Sequence, residues 1–186
     1  MSGAPRAGRV SSERKYTGKV IDLDVDEVRF PDGTTGSLEM VRHPGASAVV
    51  PMLSDAAGED PQLLLIRQYR YAAEGFLYEI PAGRLERGEA PEHCARRELR
   101  EETGCAAERC DHLFTMYTTP GFTDEKIHVY LATGITRGTS AREGDEFIET
   151  ETVPMTRALA MIERGEIADA KTALAILYVA GFRLGR

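Results

Sequence analysis

The chain has no tryptophan, only three cysteines, and aromatic residues at 7% of its length. Cys94, Cys105 and Cys110 are an odd set without a C-x-x-C pair, so neither a disulfide scaffold nor a structural zinc motif is expected. They read as reduced thiols, buried or without a chemical role. No apolar run approaches the roughly 18 residues that a membrane span needs. The segment Met1 to Arg9 is rich in Gly, Ala, Pro and Arg but carries no apolar stretch, so neither a signal peptide nor an anchor is expected there, and the expected location is cytoplasmic. Basic excess is missing too: the formal charge is −7, which argues against a nucleic-acid backbone as partner while leaving room for a local basic pocket. His43, His93, His112 and His128 show no partner pattern, and none is assigned a role.

What remains is an ordinary globular composition over 186 residues, enough for one domain with a small appendage. The expected division is a disordered tail over 1–10, a β-sheet segment over 11–44 and a main domain over 45–186. Val20, Leu23, Val25, Val28 and Phe30 alternate with charged residues, and Pro31-Asp32-Gly33-Thr34 signals a turn before a strand from Ser37 to Arg42. That pattern predicts a small antiparallel sheet. After His43-Pro44-Gly45, strands are expected over 46–53, 62–69, 76–80, 111–117, 126–133 and 147–153. Helices are expected over 91–103 and 156–164, with a last one capped by Asp169 and carrying Leu174, Ile176, Leu177 and Val179. The class is mixed α/β, without internal repeats.

The helix from Pro91 to Thr103 carries the chemistry. Pro91 suits a first helical position and Gly104 a left-handed terminator. From Arg96 to Glu102 six of seven residues are charged. Helical neighbours lie three and four residues apart, so Glu98 faces Glu101 and Glu102, and Arg96 faces Arg100; each like-charge pair costs roughly 0.2–0.5 kcal/mol. Glu101 and Glu102 also sit in the last turn, where the helix dipole favours cations. Only Arg97, four residues before Glu101, offers relief. Three carboxylates on one ridge are hard oxygen ligands of the kind that suits Mg²⁺ or Mn²⁺ alongside substrate phosphates.

The preceding loop sharpens this reading. Gly83 to Cys105 fits G-x5-E-x7-R-E-U-x-E-E-x-G-U, with U a bulky apolar residue, and at average residue usage such a match arises on the order of once in 10⁸ starts. This is the Nudix box, and the chain resembles the Nudix hydrolases. The resemblance implies an α/β/α sandwich with a mixed sheet, here preceded by the N-terminal antiparallel segment. It implies hydrolysis of a nucleoside diphosphate linked to another group, with Mg²⁺ as cofactor and Mn²⁺ as a possible substitute. By the same resemblance Glu98 and Glu102 are direct metal ligands, Glu101 binds directly or through water, and the carbonyl of Ala82 completes the set. Glu89 corresponds to the glutamate that orients the helix through Arg97. Gly83 lets the backbone pass close to metal and phosphate, or is a plain turn glycine.

Outside the box, Tyr78-Glu79-Ile80-Pro81-Ala82-Gly83 and Pro120, fifteen residues past Cys105, resemble the ADP-ribose and ADP-sugar pyrophosphatases. So does Asp169-Ala170-Lys171-Thr172 at the last helix. Within that likeness Arg70, in Arg67-Gln68-Tyr69-Arg70, is expected to reach the diphosphate, and Glu79 a ribose hydroxyl or the metal shell. The general base is expected on a loop, with Glu146 first and Glu143 second. Tyr16, Phe30, Tyr69 and Tyr71 are unranked candidates for stacking on a base. The implied substrate is ADP-ribose or a related ADP-sugar, with GDP-mannose or another nucleotide sugar as the alternative, and the implied assembly is a homodimer. A sensor that binds a nucleotide sugar without cutting it is the competing class, disfavoured because all the box glutamates are present.

Overall fold

The computed structural model describes residues 6–54, 58–138 and 148–185. It divides into two compact units, one running to Gly45 and including Tyr117–Ile127, the other made of Ala46–Met116 and the chain from His128 onward. The expected division at residues 44 and 45 lies beside this boundary. The excursion Tyr117–Ile127 was not anticipated; it joins the first unit by backbone bonds, Val41 N–H to Phe122 O at 2.8 Å and Asp124 N–H to Val41 O at 3.3 Å.

The first unit is a three-stranded antiparallel sheet of β1 (Gly8–Thr17), β2 (Asp22–Arg29) and β3 (Thr35–Arg42) in that order. At the predicted turn Gly33 takes φ 88° and Thr34 N–H donates to Asp32 Oδ1 at 3.0 Å, chemistry that glycine and aspartate bring to tight turns. Strand β1 starts at Gly8, inside the segment expected to be a tail. All ten of its residues are exposed, so no hydrophobic alternation marks it in the sequence. Pairing with β2 holds it instead, assisted by Arg14 on Asp24 and by Ser12 Oγ on Asp26 Oδ1.

A second departure concerns which face of this sheet is covered. Apolar residues alternate with charged ones along β2, yet its buried residues are Asp24 and Asp26, each 4% exposed. Arg42 reaches across both carboxylates, its Nε donating to Asp24 Oδ2 at 3.0 Å and its Nη2 to Asp26, while Nη1 bonds Asp124 at 3.2 Å. Ion pairs, not apolar contacts, close this face, and the apolar side chains of β2 stay half-buried.

The second unit comprises β4 (Ala46–Pro51), β5 (Gln62–Arg70), β6 (Gly75–Glu79), β7 (Ala82–Arg84), α1 (Pro91–Thr103), most of β8 (Cys105–Tyr117) and of β9 (Lys126–Arg137), β10 (Ile148–Pro154), α2 (Met155–Glu163) and α3 (Ala170–Phe182). Its sheets run β10-β5-β6 and β7-β4-β9-β8. Helix α1 packs on β4 and β7, α2 on β10 and α3, and α3 on β4 and β6. The short β7 occupies what reads in sequence as a turn; Ala82 pairs with Ala48 and Gly83 with Ser47.

Helix α1 has the predicted ends. Pro91 is the first residue, and Gly104 takes φ 72° with its N–H on Arg100 O at 2.8 Å. Its apolar side, Ala95 and Leu99, joins Val49, Leu64, Cys105, Tyr130 and Ala132 in the core. Burial of a leucine like Leu99, 1% exposed, contributes about 2 kcal/mol and fixes the rotation of the helix, and with it the adjoining buried carboxylates Glu98 and Glu102. Asp169 caps α3 by accepting from Thr172 N–H at 3.0 Å, as its residue type predicts.

The buried carboxylates of β2 make stability pH-dependent in a stated direction. Hydrogen bonds from Arg14 and Arg42 hold the Asp24 carboxyl below its ordinary 3.8, and those from Ser12 and Arg42 do the same for Asp26. Their contribution is complete above 3.8 and lost as pH falls through the depressed values. Amide exchange of β1 to β3, followed from neutral to strongly acid pH, is expected to lose protection below that value. Asp26→Asn is expected to be less protected at neutral pH and flatter with pH; an unchanged acid slope in this variant contradicts the assignment.

Candidate active site

The site is assembled where β6 and β7 hand the chain to α1. Glu98 and Glu102 of α1 are buried, at 8% and 2% exposure, and lie against the backbone of that turn. Ala82 N–H donates to Glu102 Oε2 at 3.1 Å. A Cβ built on Gly83 meets Glu98 Oε1 at 1.8 Å and its carboxyl carbon at 2.1 Å, so only glycine lets the carboxylate lie on this stretch of main chain. Gly83 is therefore more than a turn residue.

Arg97 meets the crowding of carboxylates. Its Nε and Nη2 donate to the two oxygens of Glu89 at 2.9 and 3.0 Å, a bidentate pair, and Nη2 also donates to Arg84 O at 3.0 Å. Nη1 donates to Glu98 Oε1 at 2.6 Å and Glu101 Oε2 at 3.0 Å. Glu89, eight residues upstream, in turn accepts from Glu86 N–H at 3.0 Å and so fastens the loop to the helix. These bonds, with Glu89 foremost, hold the Arg97 guanidinium above its ordinary pKa. Arg96 finds Glu92 Oε1 at 2.9 Å and Ala107 O at 2.8 Å, which answers its predicted conflict with Arg100.

Beneath the clamp, the Cys94 S–H donates to Gly83 O at 3.5 Å and Arg84 O at 3.4 Å. Burial pushes this thiol up to about 12, so it stays protonated and acts as a donor in the turn.

Glu98, Glu101, Glu102 and the Ala82 carbonyl are hard oxygen donors of the type that divalent cations take, and two of the carboxylates are already withdrawn from water. Among the described residues no three His, Cys, Asp or Glu side chains converge in a finished metal cage. Arg97 Nη1 donates to both Glu98 and Glu101 and so lies between these two carboxylates. The donor chemistry fits a divalent ion.

A second charged group forms at the ends of β5, β6 and α3. Arg70 donates through Nε to Glu79 Oε1 at 2.7 Å and through Nη2 to Glu79 Oε2 at 2.8 Å. Glu79 Oε2 also accepts from Lys171 Nζ, which bonds Asp169 Oδ2 at 2.9 Å. Burial works against ionisation of Glu79, but the hydrogen bonds from Arg70 and the charge of Lys171 outweigh it and hold its carboxyl below the ordinary range. The hydrogen bond to Glu79, then the charges of Glu79, Glu102 and Asp169, raise Arg70 in spite of burial. Sequence reasoning placed Glu79 against a ribose or the metal shell; in the structure both of its oxygens serve cations of the chain itself. It assigned Lys171 nothing, because Lys171 and Glu79 lie 92 positions apart. The Asp-Ala-Lys-Thr helix start was the only available signal.

The two candidate bases, Glu146 and Glu143, lie outside the described residues. Tyr71 is 87% and Tyr69 44% exposed, the latter edge-on to Phe76 at 5.6 Å. Neither is brought to the carboxylate group by any described contact.

The NUDIX domain model matches residues 43–174. The chain belongs to the NUDIX family. It is a Nudix hydrolase by that match and by similarity to an ADP-ribose pyrophosphatase of Bacillus subtilis, 42% identical over 172 residues, covering 91% of this chain and 90% of the relative. A protein of Bacillus methanolicus described as a methanol dehydrogenase activator is 40% identical over 172 residues, with the same coverage. A crystal structure of an ADP compounds hydrolase superposes with a TM-score of 0.79 at 21% identity, covering 100% of this chain and 98% of that one, and shows the fold. The Nudix fold is thus the mixed α/β arrangement that the sequence predicts, with the antiparallel sheet at its N-terminal side.

Gly83→Ala tests how close the turn and the ridge must be. The added methyl has to displace Glu98, at a cost of about 1–3 kcal/mol in urea unfolding together with loss of hydrolysis. Wild-type stability and activity in this variant would contradict the close approach.

Proposed function

We propose that this Nudix hydrolase cleaves the diphosphate bond of ADP-ribose or a closely related ADP-sugar, using Mg²⁺, with Mn²⁺ able to substitute, and releasing AMP and a sugar phosphate. The observation that carries the reading is the pairing of a buried carboxylate ridge, Glu98 and Glu102 over Gly83, with the half-exposed guanidinium of Arg70 in the field of Glu102. A diphosphate needs both: oxygen ligands for its counter-cation and a fixed cation for its own oxygens. The choice of ADP-ribose is supported by the relative of that name from Bacillus subtilis and by the residues around Tyr78 to Gly83 and at Pro120.

In this reading Glu98, Glu102, Glu101 and the Ala82 carbonyl hold the ion, which when bound neutralises charge on the phosphoryl oxygens and acidifies a water. Arg70 binds the diphosphate and orients it for in-line attack. Gly83 keeps the approach open. Glu146, or failing that Glu143, takes the proton of the attacking water as one P–O bond forms and the bridging P–O bond breaks. Arg97, held by Glu89, orients the ridge and stays outside the reaction.

The homodimer and the cytoplasmic location belong to the same reading. The half-buried apolar side of β2 and the fully exposed β1 support a second subunit against the N-terminal sheet, as a closed two-fold interface requires a self-complementary surface. Among the described residues no helix is long and apolar enough to cross a membrane.

Similarity to a protein named for dehydrogenase activation makes a direct assay necessary. With Mg²⁺ present, ADP-ribose is expected to exceed GDP-mannose, NADH and diadenosine polyphosphates in kcat/KM. Comparable kcat/KM for GDP-mannose would move the assignment to that sugar nucleotide. Glu102→Gln, which keeps an oxygen acceptor for Ala82 N–H, is expected to lose activity by at least about a hundredfold with its thermal midpoint unlowered. Full turnover in that variant would contradict the metal assignment.

A further inference from the structure

The motif and its metal do not account for the charged group at Arg70. Glu79 is 1% exposed and takes two cations, so its carboxylate is not there for solvation. The two cations differ in access. The side chain of Arg70 is 41% exposed, whereas that of Lys171 is 12% exposed and has both acceptors, Glu79 and Asp169, within the chain. Lys171 therefore sits behind the carboxylate and Arg70 in front of it.

We propose that Glu79 and Lys171 are positioning residues, a buried relay that fixes the Arg70 guanidinium and keeps its charge available to the diphosphate. Glu79 accepts from both Nε and Nη2, which sets the plane of the guanidinium and leaves Nη1 outside this pair. In a lone Arg70–Glu79 pair the buried carboxylate would have no second partner to fix its own position. Lys171 shares Glu79 Oε2, so that carboxylate is held from behind as well as by Arg70. Asp169, which balances Lys171, is at the same time the cap of α3, where its charge faces the positive end of the helix dipole. With two cations and two carboxylates the group is formally neutral, and the result is an Arg70 guanidinium fixed in plane on a scaffold tied together by Ile80 N–H on Thr172 Oγ1 at 2.9 Å.

This inference rests on the diphosphate reading of the site, and the test separates the two. With ADP-ribose as substrate and Mg²⁺ present, Lys171→Met is expected to raise KM by about tenfold, the size of a lost hydrogen bond to a charged group, with kcat changed by less than about threefold. Lys171→Arg is expected to recover most of the loss. Arg70→Ala combined with Lys171→Met is expected to be no worse than Arg70→Ala alone, because the lysine acts through the arginine. Additive losses in the double variant would mean that Lys171 touches substrate itself, and would overturn the relay. So would a parallel fall in kcat and thermal midpoint without a change in KM, or the absence of rescue by Lys171→Arg. Should Lys171→Met not fold, Lys171→Gln, which keeps an N–H donor without the charge, enters the same comparison. If the wild-type protein leaves ADP-ribose intact, the substrate reading fails; the relay then stands or falls on whether Lys171→Met weakens calorimetric binding of ADP, itself a diphosphate.

Discussion

The contact on which the site depends is that between the Glu98 carboxylate and the main chain at Gly83. It brings a buried acid within van der Waals reach of a backbone turn, and that proximity demands three other things at once. The turn must lack a side chain. The helix must be fixed in rotation, which the core packing of Ala95 and Leu99 provides. And the charge must be balanced, which Arg97 does through Nη1 while Glu89 holds its other edge. Removing one partner of such a partly buried group leaves an uncompensated charge, so these residues stand or fall together.

The second unit thus carries two electrostatic devices of opposite sense. On α1, carboxylates are concentrated and bonded by an arginine, Arg97. At the ends of β5, β6 and α3, two cations, Arg70 and Lys171, share one buried carboxylate, Glu79, and Arg70 is the more exposed of the two. The pairing suits a substrate that arrives with its own negative charge and needs both a counter-cation and a grip. Salt bridges in the first unit have another purpose: Arg42, Asp24 and Asp26 close one face of a sheet that lacks an apolar core of its own.

How much of this was legible in the sequence differs by element. Helix α1 was readable to the residue because its ends are set by local chemistry, Pro91 and the left-handed Gly104. The turn at Asp32 and Gly33 and the cap at Asp169 were readable for the same reason. Strand β1 was not, since ten exposed residues leave no period to detect and its stability comes from β2. Burial of Asp24 and Asp26 in place of Leu23 and Val25 ran against the usual meaning of alternation, because Arg42 supplies the cover. In the site, the spacing of the box pointed to Glu98, Glu101 and Glu102 as candidates, whereas the Glu79–Lys171 bond joins residues too far apart in the chain for any local pattern to reveal. The candidate bases Glu146 and Glu143 rest on the resemblance alone.

The central claim is that the α1 ridge accepts a divalent cation by exchanging the Arg97 contacts for metal ones. Crystals grown with Mn²⁺ and a non-hydrolysable ADP-ribose analogue, examined by anomalous diffraction, test it most directly. The account predicts a manganese peak bonded to Glu98, Glu102 and the Ala82 carbonyl, with Arg97 still on Glu89 but released from Glu98. A ridge without manganese, its carboxylates still held by Arg97 while the analogue is bound, would contradict it.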